Sequence, residues 1–452
     1  MNPEPQLTAK PADGYGSLLV LALLSLIVGA ASGLGGAVFR LSLDQADRLR
    51  DALITWAHGG KLAGFLLVPA IGAAATAVAA WLVRRFSPQA TGSGIPHVEA
   101  VVKGELPPAP FRLVPVKFLG GLLAIGAGLA LGREGPTVQM GASIAHFLGT
   151  IFRRNGDDCK VLLAAGAGAG LATAFNAPVA GVAFVLEELV RRFDTRITLA
   201  TLGASAGAIA VARVLLGHTP DFHVELLPSA GFGTLPLYLT LGVVVGLLGV
   251  AYNRAILGTL VAAERLGRWP VELRAAMIGA AVGLLAWFAP GLVGGGDALT
   301  QRALTGTGTL VMLALVFLLR FGLGAVSYAA GTPGGLFAPM LVLGSQTGLI
   351  FGILCSRWLP SVAPQPTELA VVGMAAFFTA VVRAPLTGIV LVTEMTASST
   401  LLLPMLGTCF TAMVVPTLLR NAPIYDSLGQ RSSGDSESMT GSGSVTFMQR
   451  QN

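Results

Sequence analysis

The sequence predicts an all-α, polytopic membrane protein in two related halves, and three observations carry that prediction. The first is composition. Of 452 residues, 53% are hydrophobic and 12% charged, against about 25% charged in ordinary globular chains, and mean hydropathy is +0.73. Such a chain is not a soluble enzyme, a disordered protein or a nucleic-acid binder with a basic surface facing water. The second is continuity: the apolar runs are unbroken over about 20 residues or more rather than alternating in short strands, which disfavours an outer-membrane barrel. The third is an internal repeat. Ala177, Pro178, Gly181 and Glu187 recur as Ala384, Pro385, Gly388 and Glu394, each 207 positions on, and Pro136 and Gly141 recur as Pro339 and Gly344, 203 positions on. In duplicated membrane folds the site lies between the halves, where broken helices point their N-termini inward.

Taken in order, residues 1–15 read as an N-terminal segment. The run at 16–43 is too long for a cleavable signal and reads as a first span. Apolar segments follow at 62–83, 113–131, 136–152, 161–186 and 197–216, and in the second half at 235–262, 273–290, 307–330, 335–357, 367–393 and 400–419. These give repeats over 16–216 and 235–420 within one membrane domain spanning 16–428. The pairs Arg84-Arg85, Arg153-Arg154 and Arg191-Arg192 fall between runs, as in cytoplasmic loops. The 59 glycines let helices approach closely and let the backbone break where it lines a cavity. Residues 429–452, rich in Ser and Gly, read as a disordered tail. Cys159, Cys355 and Cys409 have no metal-type spacing, so neither a disulfide framework nor a metal site is expected, and no cofactor.

Four breaks are candidates for chemistry: Gly92-Ser93-Gly94-Ile95-Pro96, Gly132-Arg133-Glu134-Gly135-Pro136, Gly334-Gly335-Leu336-Phe337-Ala338-Pro339 and the late Ile424-Tyr425. In the first three, Gly allows unusual dihedrals and Pro suits the first turn of a new helix. Each alone is compatible with an ordinary turn at the membrane surface. Together, with two in repeat-related places, they read as helix starts inside the membrane, whose free N–H groups suit an anion. One helix end contributes only ~0.3–1 kcal/mol, far less than dehydrating an anion costs. Several amides and hydroxyls must therefore converge, with Ser93 and Tyr425 as the hydroxyl candidates. Neutral donors also let the ion leave again.

Glu134 opens an apolar helix, where a carboxylate costs about 2.5–3.5 kcal/mol in lipid. Local amides can satisfy it, and the same amides would hold an anion, so carboxylate and anion compete and protonation decides between them. Glu187 and Glu188 end an apolar run before Arg191-Arg192. Pairing with those arginines at the surface is one reading. Only one of the two acids can face the bundle, and Glu188 is the better functional candidate because its repeat position holds Met395.

These motifs resemble the CLC family of chloride channels and chloride/proton exchangers from about residue 16 to 428. The likeness rests on GSGIP (92–96), GREGPTVQMG (132–141), FNAPVAGVAFVLEEL (175–189), GGLFAPMLVLG (334–344), APLTGIVLVTEMT (384–396) and the late tyrosine. The resemblance implies a homodimer in an inner membrane, one pore per subunit between two inverted repeats, both termini cytoplasmic, and no nucleic-acid partner. It implies a chloride site at Ser93, Gly94, Ile95, Arg133, Glu134, Gly135, Leu336, Phe337 and Tyr425. Glu134 would be the external gating glutamate and Glu188 the internal proton-transfer glutamate, an arrangement associated with proton-coupled antiport. A passive chloride channel is the alternative within the family, and a cation transporter using the two acids is a more distant one. His97, where relatives usually carry Glu, and Arg192, just after the internal acid, depart from the pattern.

Overall fold

In the computed structural model, residues 15–224, 231–267 and 269–431 are described. They are helical throughout, with two isolated β-bridges and no strand among them. The first half runs α1 (Tyr15–His58), α2 (Lys61–Phe86), α3 (Ile95–Lys103), α4 (Leu113–Gly126), α5 (Glu134–Ile151), α6 (Gly156–Phe175), α7 (Pro178–Phe184) and α8 (Thr195–Leu216). The second runs α9 (Leu235–Arg265), α10 (Val271–Phe288), α11 (Asp297–Leu304), α12 (Leu310–Tyr328), α13 (Phe337–Trp358), α14 (Pro366–Val382), α15 (Pro385–Thr396) and α16 (Leu402–Leu418). A last helix, α17, covers residues 424–431. Eight of these helices are long and apolar enough to cross a membrane.

Each helix of the first half has its mate eight places later. The mates α2 and α10 pack together, as do α7 and α15. Gly72 abuts the carbonyl of Gly279, Pro69 faces Gly283, and the Thr76 hydroxyl donates to the Ala275 carbonyl at 2.8 Å. The position numbers fall on one side as they rise on the other, so these mates are antiparallel and the repeats are inverted. Close packing recurs within each half. Gly141 lies against the Gly166 carbonyl between α5 and α6, and its repeat mate Gly344 lies against the Gly373 carbonyl between α13 and α14.

Glu187 and Glu394 explain their shared motif by capping each other's halves. Glu187 accepts from the Leu386 amide (3.0 Å), the Thr387 amide (2.6 Å) and the Thr387 hydroxyl (2.7 Å). Glu394 accepts from the Val179 and Ala180 amides at 3.1 and 2.8 Å. Each acid thus satisfies the free N–H groups of the opposing short helix, and surface pairing of Glu187 with the arginines is not what forms. Removing either acid orphans N–H groups at a cost of about 1–3 kcal/mol. Glu187→Ala and Glu394→Ala should each lower the unfolding temperature in detergent by similar amounts.

Several expected boundaries move. The first span continues to His58, and its helix begins at Tyr15. The runs 161–186 and 367–393 are each two helices, because Asn176 (φ +49) and Arg383 (φ +73) turn left-handed just before Pro178 and Pro385 restart the chain. The run 113–131 ends as helix at Gly126. Residues 429–431 of the expected tail are helical, and the remainder of it, like most of the N-terminal segment, lies outside the described residues.

Candidate functional site

The beginnings of α3, α5, α13 and α17 converge between the halves. Backbone bonds sew their loops together: the Gly92 amide donates to Thr332 O (3.1 Å), Gly334 N to Gly92 O (3.0 Å), and Gly132 and Gly335 exchange bonds of 2.9 and 2.8 Å. Two close approaches require glycine. A Cβ on Gly135 would stand 2.6 Å from Ser93 Oγ, and one on Gly335 would stand 2.5 Å from Glu134 Oε1.

Glu134 is fully buried. Its Oε1 accepts from the Phe337 amide at 2.7 Å and the Ala338 amide at 3.3 Å, while Oε2 has no hydrogen-bond partner. The carboxylate therefore occupies the positive end of α13, the place an anion would seek. Ser93 and Tyr425 are buried with unpartnered hydroxyls, and Tyr425 is within electrostatic reach of Ser93, Glu134, Tyr328 and Glu188. The Phe337 ring packs against Phe175, Phe184, Phe378 and Tyr425, with centroids 4.6–6.2 Å apart. These rings exclude water, which strengthens each polar contact left inside.

Ser93, Gly94, Ile95, Glu134, Gly135, Leu336, Phe337 and Tyr425 thus lie at one convergence. Arg133 does not bring its charge there. Its guanidinium donates to the Ala174 carbonyl (3.0 Å) and pairs with Asp297 (3.2 Å) and Asp221 (3.4 Å), which Arg40 also holds at 2.7 Å. Two acids claim its cation. It lines a recess of about 320 Å³ with Gly132, Asp44, Asp47, Asp297 and Ala338, which reaches the Glu134 segment from one side.

Glu188 is buried at the end of a π-helical turn, Val185–Leu189, with Oε1 unpartnered by any hydrogen bond. It lines a second recess of about 370 Å³ with Glu187, Arg191, Arg383 and Pro423. The basic residue nearest Glu188 is Arg191, 3.7 Å from Oε1. Arg192 is exposed and does not line that recess. His97 lines a small cavity beside Gln139 and His146.

Three features escaped the sequence reading. The Ser93 amide donates to the Tyr328 hydroxyl at 3.3 Å, leaving that O–H free to donate in turn. Buried Lys117 donates to the carbonyls of Ala90 (3.0 Å) and Gly92 (2.8 Å), pinning the loop before α3. Its repeat mate Arg320, also buried, donates to Leu292, Gly294 and Gly295 before α11 (2.8–3.1 Å). A charged residue inside an apolar run was the available signal for both. The third is the approach of Glu99 and Asp426 to Arg191, which no sequence spacing joins.

This architecture defines a helical membrane protein with a buried carboxylate seated on helix-start amides at the repeat interface. Residues 75–417 match the family model described as voltage gated chloride channel, and the chain belongs to that family, the CLC family. It is 39% identical over 416 residues to the H(+)/Cl(-) exchange transporter ClcA of Vibrio cholerae serotype O1 (strain M66-2), covering 90% of this chain and 88% of the relative. The ClcA exchange transporter of Cronobacter sakazakii (strain ATCC BAA-894) is 39% identical over 420 residues, covering 91% and 89%. The crystal structure of a slow cyanobacterial Cl-/H+ antiporter superposes with a TM-score of 0.87 at 34% identity, over 91% of this chain and 97% of that one.

Proposed function

We propose that this chain is a secondary active transporter that exchanges chloride for protons across an inner membrane. One observation carries the reading: the Glu134 carboxylate sits on the Phe337 and Ala338 amides, the donors an anion needs. Ionised, Glu134 holds the site closed. Protonated from outside, it loses its claim on the amides, and chloride takes them with help from the hydroxyls of Ser93 and Tyr425. The proton passes inward to Glu188, which opens on the second recess. Neutral donors keep the ion releasable, and the engagement of the Arg133 guanidinium by Asp221 and Asp297 fits that requirement.

The relatives named as exchange transporters support antiport over a passive channel. By the same likeness the protein works as a homodimer in lipid, each subunit with its own pore and both termini in the cytoplasm. Glu188→Gln keeps the volume and removes the titratable proton. In chloride-loaded liposomes it should abolish proton transport while chloride binding, read by calorimetry, stays within about tenfold of wild type, a change of about 1.4 kcal/mol, because Glu188 is not itself among the anion's donors. Proton transport undiminished in that variant would refute the role given to Glu188.

A further inference from the structure

Beneath Glu188 lies a charged cluster that the exchange cycle leaves unused. Arg191 follows the π-helical turn with φ +54, a left-handed conformation that costs a non-glycine residue about 1 kcal/mol or more. Its guanidinium is held on several sides. Nη2 stands 2.6 Å from Asp426 Oδ1, 3.3 Å from Glu99 Oε1 and 3.7 Å from Glu188 Oε1, and Nε donates to the Glu188 carbonyl at 3.2 Å. One cation therefore faces three carboxylates from three elements: Glu99 on α3, Glu188 on the π-helical turn and Asp426 on α17.

The remaining charges around Glu188 are few. Glu187 adjoins it but is engaged by the α15 amides. Lys103 pairs with Glu99 at 2.8 Å, and Arg383 lines the same recess. Taken together, Glu99, Glu188 and Asp426 against Arg191 and Lys103 leave one net negative charge. A single proton on Glu188 neutralises the cluster. Asp426 directly follows Tyr425, so the same guanidinium ties the helix bearing that hydroxyl to the internal acid.

The geometry points to Arg191 as the positioning residue that sets when Glu188 takes up a proton and, through Asp426, links that event to the helix carrying Tyr425. Ionised Glu188 draws the guanidinium toward itself; protonated, it releases the guanidinium to Asp426 and Glu99. The inference rests on the exchange reading for the role of Glu188. Arg191 is 40% exposed, so water weakens each pair, and the effect belongs in the pH dependence rather than in folding.

The test is chloride flux in liposomes while the pH on the Glu188 side is varied. Arg191→Gln takes from Glu188 the cation paired with it while Glu99 and Asp426 remain, so proton uptake becomes easier and the half-maximal pH should rise by roughly one unit. Asp426→Asn removes a neighbouring negative charge and should lower it. Arg191→Lys should restore most of the wild-type profile. Opposite shifts support the inference, because a merely structural loss moves both variants alike. Shifts in the same direction, reduced flux with an unmoved midpoint, or a wild type insensitive to pH on that side would each overturn it. Proton flux recorded in the same wild-type vesicles tests exchange separately: its absence sinks the exchange reading, while opposite midpoint shifts would still uphold the placement of Arg191.

Discussion

Replacing Glu134 with alanine should leave chloride moving and stop proton transport. The carboxylate is the buried acid on the Phe337 and Ala338 amides, so its loss frees those donors for the anion and deletes the group that carries the proton. Losing a proton-relay group reduces transfer by on the order of a hundredfold or more. Chloride flux should persist without coupling, and its dependence on outer pH should flatten. Glu134→Gln, which mimics the protonated acid, should behave in the same direction. Simultaneous recording of chloride and proton movement in liposomes separates the two currents. A Glu134→Ala protein that still moves protons would show that another group does this work.

The second large effect is steric. Gly135→Ala places a Cβ 2.6 Å from Ser93 Oγ, 2.7 Å from Ser93 O and 2.9 Å from its Cα. Backbone atoms cannot swing aside as a flexible side chain can, so the Ser93 loop must shift, although Lys117 and the Gly92 bridge hold it. Overpacking of this kind costs about 1–3 kcal/mol, which corresponds to a roughly fivefold to 150-fold loss of chloride affinity if the strain falls on the site. Calorimetric titration reads it. Gly156→Ala is the control, because a Cβ there meets nothing within 4 Å, and its affinity should be unchanged.

What the sequence made legible follows from whether the governing chemistry is local. The helix starts at Ile95, Glu134 and Phe337 were readable because Gly and Pro act through their own backbone. The repeat was readable because both halves must solve one capping problem, and Glu187 and Glu394 solve it reciprocally. The break at Asn176 carried a signal that went unread, since Asn takes the left-handed region more readily than other non-glycine residues, whereas Arg383 announces no left-handed turn and only the proline after it was visible. The partners of the Arg133 guanidinium, Asp221 and Asp297, were not legible, because they lie 88 and 164 positions away. Two of the acids around Arg191 were illegible for the same reason, since Glu99 and Asp426 reach it only through tertiary packing.

Chloride binding measured by calorimetry as a function of pH tests most directly whether Glu134 and chloride compete for one set of amides. Competition requires that chloride bind more tightly as pH falls and that each binding event take up protons, by reciprocal linkage. In Glu134→Gln the affinity should be at least as high as in wild type at low pH and should no longer vary with pH on account of this group. Wild-type chloride affinity that is constant across pH, with no proton uptake, would contradict the account.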